Sequence, residues 1–142
     1  MKLEIANRQQ ELAVDAGIVW RALRVTADEE EIEAQLSVAV VHDEQMRRLN
    51  DRYLARDDST DVLSFRYGGE DGCIEAELVV NASEAIRQSA GRPHSAQNEL
   101  LLYVIHGFLH ALGYDDLEPD PAARMHRRER EILRQVDRPV EE

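Results

Sequence analysis

A chain of 142 residues with 43% hydrophobic content can bury one core but hardly two, so a single domain spanning residues 1–142 is expected. The formal charge of -12 argues against a nucleic-acid partner on average, although arginine outnumbers lysine sixteen to one and is clustered. No stretch approaches the roughly 20 apolar residues that cross a bilayer and no secretory pattern opens the chain, so no membrane partner is expected and the cytoplasm is the default compartment. Cys73 is the only cysteine, which excludes an internal disulfide and reads as a half-buried strand residue.

In chain order, Leu3 and Ile5 alternate with Lys2 and Glu4 and predict a short opening strand. Leu12, Ala16, Val19, Trp20 and Leu23 then follow a helical period. Leu36 to Val41 is a strand-forming run ended by Asp43, a candidate cap for a helix carrying Met46, Leu49 and Tyr53 on one face. Val62 to Phe65 and Ile74 to Val80 predict two more strands, joined by a loop holding Gly68, Gly69, Glu70, Asp71 and Gly72. Asn81 with Glu84 three residues on resembles a capping box, and Gly91, Arg92 and Pro93 close that helix. Ser95 is the expected cap of the next helix, whose apolar side holds Leu101, Val104, Ile105, Phe108 and Leu112. Glu99, Tyr103, His106 and His110 form a stripe away from that side and are expected to line a cleft. A last helix starts at Asp120 and Pro121 and packs through Met125, Ile132, Leu133 and Val136. Strands and helices interleave without a regular βαβ rhythm, so the expected class is α+β, a small mixed four-stranded sheet packed with helices.

The most informative stretch is His106 to Asp116, HGFLHALGYDD. An i to i+4 step on a helix rotates only about 40° and climbs about 6 Å, so the His106 and His110 rings leave the same side. Gly113 can take the left-handed conformation that stops the helix and returns the chain, so that Asp116 reaches the same point. Three ligands leave a fourth position for water or substrate, the pattern of catalytic rather than structural zinc sites. The helical peptidase motif HExxH carries its general base directly after the first histidine. Gly107 stands there instead, which argues against peptide hydrolysis.

Thr60 to Phe65, reading TDVLSF, together with HGFLHALGYDD, resembles the YbeY family of metal-dependent endoribonucleases over most of the chain. The resemblance implies a zincin-like metal helix, a zinc ion, single-stranded RNA as substrate, and a role in maturing the 3′ end of small-subunit ribosomal RNA and in ribosome quality control. The family usually supplies three histidines, whereas this chain offers His106, His110 and Asp116. A carboxylate makes the ion less electrophilic and broadens the choice of metal toward manganese. Leu54 aligns with an arginine common in the family, and Ala76 and Glu77 stand where a glycine and an aspartate are usual. Leucine cannot hold a phosphate, so Arg56, or alternatively Arg52, is the expected partner of the charge developing in the transition state. Proton transfer falls to metal hydroxide, to Asp115, which could equally be an outer partner of the ligands, or to a group the sequence does not identify. His126 reads as a surface residue.

The arginines fall in two clusters, Arg47, Arg48, Arg52 and Arg56, then Arg124, Arg127, Arg128 and Arg130. The second alternates with Glu129 and Glu131 and reads as a solvated, ion-paired face. A contrasting reading of the whole chain is a ribosome-associated RNA-binding assembly factor whose metal is structural. Cleavage site and oligomeric state are not encoded in any motif here.

Overall fold

Two short apolar runs, Val38 to Val41 and Leu78 to Val80, lack the polar alternation of a half-solvated strand, and a strand buried on both faces is their natural home. In the computed structural model of the chain, which describes residues 1–54, 59–69, 72–91, 95–114 and 119–137, both runs sit at the centre of the sheet. The elements are β1 (Lys2–Asn7), α1 (Ala16–Glu29), β2 (Glu33–Val41), α2 (Asp43–Leu54), β3 (Val62–Gly68), β4 (Cys73–Asn81), α3 (Ala82–Ser89), α4 (Ala96–Ala111) and α5 (Pro119–Asp137). The sheet order is β1-β2-β4-β3. β2 pairs in parallel with both β1 and β4, and β3 runs antiparallel along β4 as an edge strand.

The expected mixed four-stranded sheet is therefore present, with one refinement. β1, α1 and β2 form a parallel crossover, so the βαβ rhythm missing from the sequence pattern exists at the start of the chain. Alternation along the central strands divides the interior. Val38, Val40, Leu78 and Val80 face the main core with α1, α3, α4 and α5. Ala39, Val41 and Val79 face a smaller cluster closed by Met46 of α2 and Leu63 of β3.

α4 runs through the main core, with Val104, Ile105, Phe108 and Leu109 fully buried. Truncating Phe108 alone would cost about 3–5 kcal/mol. Its ends match the sequence reading: Ser95 accepts from the Asn98 N–H at 3.1 Å, and Gly113 adopts φ +100 beyond the last turn. The Gly113 N–H donates to the His110 carbonyl and the Tyr114 N–H to the Leu109 carbonyl, both at 3.0 Å, which is a Schellman stop.

Elsewhere local expectations shift. Leu12 precedes α1, which Asp15 caps, and Trp20 stays 44% exposed instead of joining the helix's buried face. Asp43 is the first residue of α2, not its cap. His42 takes that place: its Nδ1 accepts from the Gln45 N–H at 3.3 Å, and the Gln45 side chain accepts from the His42 N–H at 3.1 Å. The Asp43 carboxylate is thereby left to accept from Ser59, Asn81 and Arg87. Asn81 caps α3 as expected, accepting from the Glu84 N–H at 3.3 Å, but Glu84 turns to Arg87 and Gln88 and does not close the box. Among the described residues, no helix is long and apolar enough to cross a membrane.

Candidate metal centre and cleft

Where α4 passes β3, the two elements come close enough that one position on the helix favours the lack of a side chain. A Cβ on Gly107 would stand 2.8 Å from Val62 Cγ2 and 3.3 Å from Leu78 Cδ2. The Ser64 hydroxyl donates to the Gly107 carbonyl at 2.9 Å and ties the strand to the helix at that level. A side chain after His106 would crowd Val62 and Leu78, which disfavours a glutamate at the position of the peptidase base.

On either side of Gly107, His106 and His110 open into a cleft of about 670 Å³ that Leu54, Asp61, Ser64, Arg66 and Gly113 also line. The two Nε2 atoms lie 3.1 Å apart, with the ring planes at 75°. Two nitrogens bound to one tetrahedral zinc at about 2.0–2.1 Å stand roughly 3.3 Å apart, so the spacing fits a shared ion. The rings converge as the i, i+4 spacing predicts.

The other nitrogen of His106 is held from behind. Its Nδ1 contacts Oε1 of Glu129, a carboxylate on α5 that is only 4% exposed. A buried acid in this position keeps the proton on Nδ1, so that Nδ1–H donates to the carboxylate and Nε2 is presented toward His110. His126 is exposed, as expected, and its Nδ1 lies 3.4 Å from the second Glu129 oxygen. Glu129 had been read as one of the acids alternating with surface arginines. The signal available was its place in the apolar stripe: Met125, Glu129, Ile132 and Val136 are all buried, at helical spacing.

The remaining site residues divide three ways. Asp116, Asp115 and Arg56 lie outside the described residues, and among the described ones no group of three or more His, Cys, Asp or Glu side chains is placed to hold a metal. Arg52 does not line the cleft; its guanidinium sits over the Tyr53 ring at 5.7 Å. Leu54 does line it, as an apolar wall. The stripe expected to form the cleft wall is split, because only His106 and His110 face this cleft. Glu99 and Tyr103 are 4% and 5% exposed and line a separate depression with Ser59 and Thr60. Burial is the largest cause pushing the Tyr103 hydroxyl well above the usual phenol range, reinforced by Glu99. In the second arginine cluster, Arg128 does pair with Glu29, Glu30 and Glu131.

Arg66 and Asp61 were not singled out as site residues. Asp61 turns its Oδ1 back to the Val62 N–H at 2.7 Å, fixing the start of β3 at the mouth of the cleft. Val62, Ser64 and Arg66 alternate along one face of β3, and that face meets α4. The spacing was visible in the sequence, but which element the face met was not.

Comparison with known proteins gives the family. The family model described as Endoribonuclease YbeY matches residues 4–137. An Endoribonuclease YbeY from Pelotomaculum thermopropionicum is 34% identical over 145 residues, covering 94% of this chain and 95% of that protein. One from Rhodopirellula baltica is 41% identical over 96 residues, 66% of this chain and only 50% of that protein. The solution structure of TM1509 from Thermotoga maritima shares the fold, with a TM-score of 0.70 at 23% identity over 94% of this chain and 88% of that one. Paired imidazoles on a helix stopped by glycine, the TDVLSF strand beside them and a family match along almost the whole length lead to one assignment: the chain belongs to the YbeY family of endoribonucleases.

Proposed function

We propose that this protein is a metal-dependent endoribonuclease that cuts single-stranded RNA and acts in the cytoplasm on the 3′ end of small-subunit ribosomal RNA, serving ribosome maturation and quality control. The observation that carries the reading is the pair of imidazole nitrogens 3.1 Å apart in an open cleft, one ring braced by a buried carboxylate. His106, His110 and Asp116 would hold the ion, zinc in first place and manganese as the alternative. When bound, the ion supplies Lewis-acid activation of a phosphate ester.

The chain's own groups do the rest. Glu129 fixes the tautomer and angle of His106. Gly107 keeps β3 against α4, so that the histidine pair and the strand face form one wall. Asp115 is assigned the proton of the attacking group, and Arg56 charge stabilisation. An RNA substrate is favoured over a peptide because the position that carries the base of peptide hydrolysis is Gly107, where a side chain would crowd Val62 and Leu78.

The test compares wild type with His110→Ala on labelled single-stranded and duplex RNA, with added zinc and after chelation. Wild type with zinc should cut the single strand and spare the duplex, and the variant should be inactive. Equal cleavage by both proteins would end the nuclease reading. Metal analysis of Asp116→Ala should show reduced zinc content.

A further inference from the structure

The cleft must draw a polyanion into a molecule of net charge -12, and averages over the surface cannot do this. Among the described residues lining the cleft, Arg66 is the sole lysine or arginine. Arg24, Arg47, Arg48, Arg87 and Arg128 each have a carboxylate within ion-pair distance. Arg66 has none. Its guanidinium rests on backbone carbonyls, Nη1 donating to Ala111 and Nε to Gly68, both at 3.4 Å. Carbonyl oxygens hold a guanidinium in place without cancelling its charge, and five N–H donors leave capacity for a further acceptor.

The local backbone places it there. The β3–β4 register slips between Arg66, opposite Ala76, and Gly68, opposite Glu75, so a bulge at Tyr67 follows Arg66 on the edge strand. Gly69 then turns at φ +147, where a Cβ would stand 2.7 Å from the Cys73 carbonyl and 2.9 Å from Arg66 Nη2. Bulge and glycine together leave room for the side chain to swing to the end of α4, beside His110. Leu54 forms an apolar side of the same cleft, and low local polarity strengthens the attraction between a guanidinium and a phosphate.

We propose that Arg66 is the phosphate-binding residue of the cleft, contacting the RNA backbone at the histidine pair in the ground state and more strongly as charge develops. This rests on the cleft acting on RNA, and it goes beyond that reading in naming the group that recognises the substrate. A guanidinium suits the role because its planar fork can bridge two oxygens of one phosphate.

The experiment measures fluorescence anisotropy of a labelled, cleavage-resistant 2′-O-methyl single-stranded RNA with metal-free and zinc-loaded protein over a salt series. Cleavage of ordinary RNA is followed in parallel. Arg66→Ala should weaken binding about fivefold or more and flatten the salt dependence by about 0.7 in log–log slope, the loss of one phosphate contact to a single strand. Its kcat should fall about 10²-fold, as for loss of one donor to the transition state, with zinc content unchanged. Arg66→Lys should recover the salt slope and only part of kcat, which separates a charge contact from a packing role. Arg24→Ala, remote and already ion-paired, should match wild type. Unchanged affinity and salt slope in Arg66→Ala, with wild type cutting RNA, would overturn this proposal alone. A wild-type protein that neither binds nor cuts RNA would overturn both it and the function above.

Discussion

The close passage of α4 and β3 can be tested by adding one carbon. In an open helix, Gly→Ala stabilises by about 0.8–1.0 kcal/mol through backbone propensity. At Gly107 the new Cβ meets Val62 Cγ2 at 2.8 Å and Leu78 Cδ2 at 3.3 Å. Carbon atoms prefer about 3.5–4.0 Å, so the strand side must retreat by roughly 0.7 Å or more. It has little freedom. Val62 is β-branched with a restricted χ1, Leu78 is fully buried, and the Ser64 hydroxyl holds the strand to the Gly107 carbonyl at 2.9 Å. Overpacking of this kind costs about 1–3 kcal/mol, which exceeds the propensity gain. Gly107→Ala should therefore destabilise by about 1 kcal/mol and lower Tm by about 3–5 °C. Denaturant unfolding of Gly107→Ala, Val62→Ala and the double variant should show a coupling of about 1 kcal/mol, because removing the Val62 methyls makes room for the new one. A Gly107→Ala protein more stable than wild type, with no coupling to Val62, would refute the argument and reopen the case for a side chain after His106.

The carboxylate behind His106 and the one at the start of α2 give further tests. Glu129→Gln keeps the shape but removes the charge that steadies the Nδ1 proton, and zinc affinity measured by chelator competition should fall about 10–100-fold. An unchanged affinity would mean that His106 is oriented by packing alone. Asp43 accepts from the Arg87 guanidinium at 2.8 and 3.0 Å, and this holds its carboxyl well below the ordinary value of 3.8 despite an opposing effect of burial. A depressed pKa in the folded state contributes stability above the unfolded value, and the contribution is lost as pH falls through the folded one. Both side chains are partly exposed, so it is discounted to about 1 kcal/mol. Calorimetry should show Asp43→Asn melting below wild type at pH 7, with the gap closing steadily between pH 4 and pH 2. A gap constant over that interval would contradict the assignment.

What the sequence made legible was chiefly local. The i, i+4 histidines, the Ser95 cap and the Gly113 stop depend on a few neighbouring residues, and each appears as read. The central strands were legible because an uninterrupted apolar run has few other homes. Glu129 was missed because a buried acid and a solvated one look alike among arginines until the helix is seen packed across α4. Arg66 was missed for a similar reason, since strand alternation assigns it a face but not the neighbour that face meets. Trp20 fits a helical period yet stays exposed, and Glu99 fits a polar stripe yet is buried, because periodicity fixes angle without fixing surroundings. Asp43 lost the capping role to His42 because Asn81, Ser59 and Arg87 compete for its carboxylate from distant parts of the chain.

The contact between Glu129 and His106 also ties the end of the chain to its middle. α5 supplies none of the assigned ligands, yet the ring that would face the ion keeps its posture only while this last helix is seated. Cation loading and the docking of α5 therefore reinforce one another by mass action, each raising the occupancy of the other. A clipped or displaced C-terminal helix would disarm the protein from a distance, with both histidines still present.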